Sequence, residues 1–273
     1  MVMKVHYLNC GTMQPRFARF LPPHLATIPC LCLLIETGEQ LVLVDTGFGT
    51  VDMEDLRRTG HVNLILKTIQ DREHTAVRQI ERMGFRREDV GHIICTHLDR
   101  DHAGGLPDFP QAMVHVLKSE QEAALNPASF AEKERYRRHH FAHDPRWALH
   151  ETVSQEAWFG MDCIRELPGL PPGILLVPLP GHTKGHSGVV LETEDGWLLH
   201  CGDAYYMRAE LEEDGKVPRS VRLFSRSAYT DRAAALRQHE RLRKLLRESG
   251  GEVSLTASHD LYDYERLSGE KLT

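Results

Sequence analysis

Residues 93–105 read IICTHLDRDHAGG, an apolar strand-like run that ends in His97, Asp99, Asp101 and His102 within six positions. Imidazole and carboxylate are the ligands that suit zinc, manganese and iron. In an extended segment alternate side chains share a side, so His97, Asp99 and Asp101 converge if the strand continues. A turn at Asp101-His102, relaxed by Gly104-Gly105, then brings His102 to the same centre. The commonplace alternative is a solvated polar loop after a strand, and a packed HxDxDH makes that the poorer reading. A chain that delivers such a cluster from one strand end needs a scaffold on which other strand ends meet it.

The rest of the chain offers that scaffold. KVHYL, CLCLLIET, QLVLVDTG, AMVHVL and ILLVPLP are Val-, Leu- and Ile-rich runs ended by Gly, Pro or polar residues, and they read as strands. VVLETEDGWLLHCGD reads as a hairpin turning near Asp195-Gly196. Residues 75–85 place Val77, Ile80 and Met83 at helical spacing. DRAAALRQHERLRKLLRESGG is the clearest helix, with Ala235, His239, Leu242 and Leu246 on one face. Thr230 or Asp231 caps its start and Gly250-Gly251 stops it. The expected class is α/β in a single domain over residues 1–273, with a variable loop at about 11–30 and an insertion at about 118–165. The insertion begins as a helix (SEQEAAL) and continues without a strand pattern.

Composition narrows the function. Lys plus Arg is 33 and Asp plus Glu 39, a net charge of −6, which argues against a nucleic-acid binder. The 17 histidines are the unusual count and raise the question of a metal site. Six cysteines (10, 30, 32, 95, 163 and 201) show no CxxC pairing, and several lie in apolar runs where a free thiol packs as a small hydrophobe. No window approaches the ~20 apolar residues of a membrane span. The N-terminal residues lack a signal-peptide pattern, so the expected setting is cytoplasmic, without membrane or nucleic-acid partners.

Three further segments place a potential ligand at a strand end: PLPGHTKGHSG supplies His182, LLHCGD supplies Asp203, and LTASHD supplies His259. Together with VLVDTG and THLDRDHAGG, in this order along nearly the whole chain, they resemble the metallo-β-lactamase superfamily. The resemblance implies an αββα sandwich, two sheets with flanking helices, carrying a pair of divalent metal ions. His97, Asp99 and His182 would hold one metal, Asp101, His102 and His259 the other, and Asp203 would bridge them. The implied chemistry is hydrolysis by a metal-bridging hydroxide. Zinc is the expected metal. Asp99 stands where the usual pattern has histidine, and its added negative charge favours manganese or iron at the first position; a hydrogen bond to another ligand is its alternative role.

Within the superfamily the resemblance is to the N-acyl-homoserine lactone hydrolases, in which a tyrosine follows the bridging Asp by three positions. Tyr206 has that spacing here, in GDAYY, and would lie at the substrate carbonyl oxygen; a half-buried packing role for Tyr206 or Tyr205 is the alternative. The implied reaction is opening of a lactone on a small-molecule substrate, by a monomer or homodimer, with Asp101 and Tyr206 as catalytic residues. Thioester or phosphoester hydrolysis on the same centre, and redox chemistry at a di-iron site, are the competing readings. Asp45 is expected to organise loops around a metal-ligating histidine, and His186 to be structural. His139, His140 and His143 read as a solvated or lid-like segment, and Arg135, Arg137 and Arg138 as surface charge able to attract an anion. Phe17, Phe20, Leu21 and Phe48 are expected near a substrate pocket. His61, His74, His92, His115 and His150 read as ordinary surface or core residues.

Overall fold

The structure, a computed structural model, describes residues 3–151 and 157–272. Strands β1 (Lys4–Pro15), β2 (Ile28–Glu36), β3 (Leu41–Val44), β4 (Leu66–Thr68), β5 (Val90–Ile94), β6 (Met113–Leu117) and β7 (Arg146–His150) form one sheet, ordered β4-β1-β2-β3-β5-β6-β7. Its β1, β2, β3 and β4 pair antiparallel, whereas β3, β5, β6 and β7 run parallel. A short ribbon of β8 (Ala157–Trp158) and β9 (Met161–Asp162) follows. Strands β10 (Ile174–Pro178), β11 (Ser187–Thr193), β12 (Gly196–His200) and β13 (Val253–Thr256) form the second sheet in sequence order.

The two sheets meet face to face. Leu31, Leu33, Ile35, Val42, Val44 and Ile94 of the first pack with Ile174, Leu176, Val189, Leu191 and Leu198 of the second. The intervening side chains point the other way: Cys32, Leu34, Leu43 and Ile93 meet Ala76, Val77 and Ile80 outside the first sheet. Leu175, Val177, Val190, Leu199 and Leu255 meet Leu242 and Leu245 outside the second. Both faces of each sheet are covered, which explains why the strands read as unbroken apolar runs rather than alternating ones. Each fully buried Leu or Ile contributes roughly 1.5–3 kcal/mol.

The helices are α1 (Pro23–Ala26), α2 (Thr50–Glu54), α3 (Ala76–Arg82), α4 (Arg100–Ala103), α5 (Lys118–Leu125), α6 (Phe130–Arg135), α7 (Arg219–Ala228), α8 (Arg232–Glu248) and α9 (Leu261–Ser268). The clearest helix of the sequence is α8, and Asp231 caps it by accepting from Ala234 N–H at 2.9 Å. Among the described residues no helix is long and apolar enough to cross a membrane. All six cysteines are buried and none is in a disulfide.

Two boundaries differ from the expectation. Residues 11–15 continue β1 and residues 28–30 open β2, so the N-terminal loop narrows to 16–27. The insertion contains β7, which pairs with β6 at the sheet edge, and the β8–β9 ribbon. RWALH has no clean alternation because an edge strand with partly open faces needs none. Residues 152–156 of the insertion lie outside the described residues.

Candidate metal centre

The ligand-bearing segments all leave the same end of the two sheets. His97 and Asp99 follow β5, His182 follows β10, Asp203 follows β12 and His259 follows β13. The strand does not continue through Asp101, as the sequence reading allowed. Asp99 instead caps α4, with His102 and Ala103 donating to its carbonyl, and this single turn carries Asp101 and His102. Helical geometry turns the two side chains into the centre without the extended alternation.

All seven side chains are buried, and their polar atoms converge. Asp203 lies between two groups. Its Oδ2 faces His182 Nε2 at 3.6 Å, and its Oδ1 faces His102 Nε2 at 3.2 Å and His259 Nε2 at 3.3 Å. Asp99 Oδ2 lies 3.0 Å from His182 Nε2 and 3.5 Å from His97 Nε2. Asp101 Oδ2 lies 3.5 Å from His259 Nε2, and the His102 and His259 Nε2 atoms are 3.3 Å apart. His97 Nε2, Asp99 Oδ1 and Asp203 Oδ1 are buried without a hydrogen-bond partner. Buried polar atoms facing one another unpaired, around three carboxylates, call for cations. The donor set of imidazoles and carboxylates fits divalent transition metals.

A network behind the ligands fixes their direction. Asp45 follows β3 in the left-handed region, with φ of 54°. It accepts from Thr96 N–H at 2.8 Å, from the Thr96 hydroxyl at 2.7 Å and from His102 Nδ1 at 2.8 Å. Burial works against its charge, but the surrounding His102, His200 and His97 rings together outweigh burial and hold the carboxyl well below the usual range. With Nδ1 committed to Asp45, His102 directs Nε2 into the centre. His259 is set the same way, its Nδ1 donating to the Pro29 carbonyl at 2.7 Å. His186 donates from Nδ1 to the Leu179 carbonyl and accepts Asp203 N–H at Nε2, both at 3.0 Å, so it supports the Asp203 turn. Gly202 is required there: its φ is 53°, and a Cβ would sit 2.7 Å from His186 Nε2.

Three participants escaped the sequence reading. Arg135, expected on the surface, reaches the centre instead. Its Nη1 lies 2.5 Å from Asp99 Oδ2 and 2.7 Å from His182 Nε2, and its Nη2 donates to the Ala228 carbonyl at 2.6 Å. Burial opposes the Asp99 charge, yet the guanidinium together with the His97 and His182 rings outweighs it and holds the carboxyl far below its ordinary range. Burial, then the same guanidinium, lowers His182 to about 4, so its ring is neutral. Glu120 of α5 is fully buried and accepts from Leu98 N–H and Gly185 N–H at 3.0 Å, tying the two ligand loops together. Cys30, expected as simple packing, lies in one cluster with Asp101 and His259. No pattern announces any of the three, because each arrives by tertiary packing.

Among the remaining candidates the structure corrects His140 and locates the others. His140 is not solvated: it is buried and donates from Nε2 to Asp52 Oδ2 at 2.8 Å, while His139 meets Asp52 Oδ1 at 3.2 Å. Phe48 is a core residue with Met13, Cys30, Met53 and Leu66, and Phe17 and Phe20 are 65% and 70% exposed. His92, His115 and His150 form a hydrogen-bonded row across β5, β6 and β7, and burial pushes His115 down to about 3, which keeps it neutral. Tyr205 donates to Asp263 inside the core. Tyr206 faces the centre, its hydroxyl 3.0 Å from His182 Nδ1.

An inter-sheet core with loops of clustered histidines and aspartates at one end of the sandwich is an arrangement suited to metal-binding hydrolases. The chain belongs to the metallo-β-lactamase superfamily, whose model matches residues 26–253. A probable metallo-hydrolase of Mycobacterium tuberculosis is 39% identical over 266 residues, covering 97% of this chain and 83% of that protein. An N-acyl homoserine lactonase of Bacillus thuringiensis is 30% identical over 196 residues, covering 71% of this chain and 70% of its own. A solved N-acyl homoserine lactone hydrolase, with N-hexanoyl-L-homoserine at its catalytic metal centre, superposes with a TM-score of 0.72 at 26% identity, covering 97% of each chain.

Proposed function

We propose that this protein opens a lactone ring by metal-dependent hydrolysis on a dinuclear centre. His97, Asp99 and His182 would hold the first metal, Asp101, His102 and His259 the second, and Asp203 would bridge them. The observation that carries this reading is Asp203, whose two carboxylate oxygens face the two histidine groups separately. Zinc is the proposed metal, with manganese or iron favoured at the first position by the extra carboxylate of Asp99. When bound, such a pair supplies a hydroxide nucleophile at neutral pH and polarises the carbonyl under attack.

The chain's own residues supply positioning and a proton donor. His182 accepts at Nε2, so its ring proton is on Nδ1 and is donated to the Tyr206 oxygen. That leaves the Tyr206 O–H free to donate. Burial raises the phenol well above its usual range, so it stays protonated and can stabilise oxyanion charge on a carbonyl oxygen. The lactonase relatives support the choice of bond. The test is a substrate panel: N-acyl homoserine lactones are expected to exceed phosphodiesters, β-lactams and glutathione thioesters in kcat/KM. A large margin for thioesters or phosphoesters would overturn the lactone assignment.

A further inference from the structure

We infer that the Arg135 guanidinium competes with the first metal for Asp99 and His182, so that the two metal positions load unequally. The inference rests on the metal-dependent reading above and adds a residue and an order of loading to it. A neutral imidazole offers one lone pair. At His182 Nε2 that lone pair is directed at Arg135 Nη1, 2.7 Å away, and a metal at the first position requires the same lone pair. Nη1 also holds Asp99 Oδ2 at 2.5 Å, which is the carboxylate oxygen nearest to both His97 and His182. A guanidinium cannot surrender its charge, so the cation already present must move before another takes its place.

Among the described residues the second position has no arginine within ion-pairing distance, though the Arg100 charge acts on Asp101 from farther away. Among the described residues the ion-pair partners of Asp101 and Asp203 are histidine rings alone. Arg135 is held where it is. The start of α6 is a capping box, in which Ser129 Oγ accepts from Glu132 N–H at 3.1 Å and Glu132 accepts from Ser129 N–H at 3.2 Å. Beyond Arg135, Arg137 Nε donates to the Arg58 carbonyl at 3.0 Å, and His139 and His140 close on Asp52. The one site residue that departs from the superfamily's usual histidine is thus the one that an arginine of this chain neutralises. An imidazole at position 99 would offer the guanidinium no charge to hold.

Metal-free protein titrated with zinc by calorimetry, under chelator competition, tests the inference without reference to turnover. The wild type is expected to show a tight step and a weaker one, or the tight step alone. In Arg135→Gln the weaker step should strengthen by about ten- to a hundredfold while the tight step stays put, the scale at which residues around metal ligands tune affinity. Asp99→His, which leaves Arg135 in place but removes its anion, should strengthen the same step. Circular dichroism checks that both variants are folded, and the second protects the test if the first is not. Two steps of equal affinity in the wild type would overturn the inference. So would a weaker step unmoved in both folded variants; in either case the metallohydrolase reading stands. A wild type that binds no zinc at all would end both.

Discussion

The candidate ligand loops and the insertion differ in how their residues come to the centre. Each ligand loop is short and leaves a strand buried on both faces, so the sheet sets its direction within a few residues. The insertion reaches the centre twice, through Glu120 in the first turn of α5 just past β6, and through Arg135 at the end of α6 over a longer path. On the proposed reading the loops determine what is bound, whereas the insertion determines how firmly the loops are held and what would compete with the metal. The lesson is that a centre can take its chemistry from one region and its charge balance from another.

Breaking the bridge should have the largest effect. Asp203→Ala is expected to lose metal from both positions by elemental analysis and to lower kcat by about 10³-fold or more, the scale of removing a central charge-stabilising group. Full metal content in that variant would return Asp203 to an ordinary loop residue. Glu120→Ala comes next. It leaves the buried Leu98 and Gly185 N–H groups unpaired, and each such loss costs about 1–3 kcal/mol, so denaturant unfolding should show a fall of about 3 kcal/mol. Unchanged stability would remove the insertion's claim to hold the loops.

The Asp52 latch sharpens the comparison further. Burial raises the Asp52 carboxyl, but hydrogen bonds from His139 and His140 outweigh it and bring the group from 3.8 to about 2. A carboxylate lowered on folding stabilises the folded chain above its ordinary pKa, and that contribution fades as pH falls through the folded value. Asp52→Asn should therefore cost about 2 kcal/mol at pH 7. The deficit should shrink below pH 3.8 and vanish near 2, as followed by unfolding across pH. A pH-independent deficit would mean that shape, not charge, holds the latch. The smallest effect is expected from Tyr206→Phe, about a tenfold fall in kcat with KM little changed, since the metals share the oxyanion charge. An unaltered kcat would leave Tyr206 as a prop for His182.

The strands, the long helix α8 and the strand-end segments with their histidines and aspartates were legible because each carries a local pattern: an apolar run, a helical face, or a ligand just past a strand. Asp45 was legible for the same reason, standing at the end of VLVDTG. Position 135 was misread because RYRRHH resembles surface charge, and only the fold buries one of its arginines against Asp99. His140 was misread likewise, since its partner Asp52 lies 88 residues away. The strand β7 stayed hidden because an edge strand needs no alternation. Long-range pairing leaves no periodicity for a sequence to display.

The most direct test of the central claim is elemental analysis of the purified protein, paired with its rate on an N-acyl homoserine lactone before and after chelation. The account predicts bound divalent transition metal, up to two ions per chain, with hydrolysis lost on chelation and restored when metal is returned. Protein free of metal that hydrolyses the lactone at the same rate in a strong chelator would contradict it.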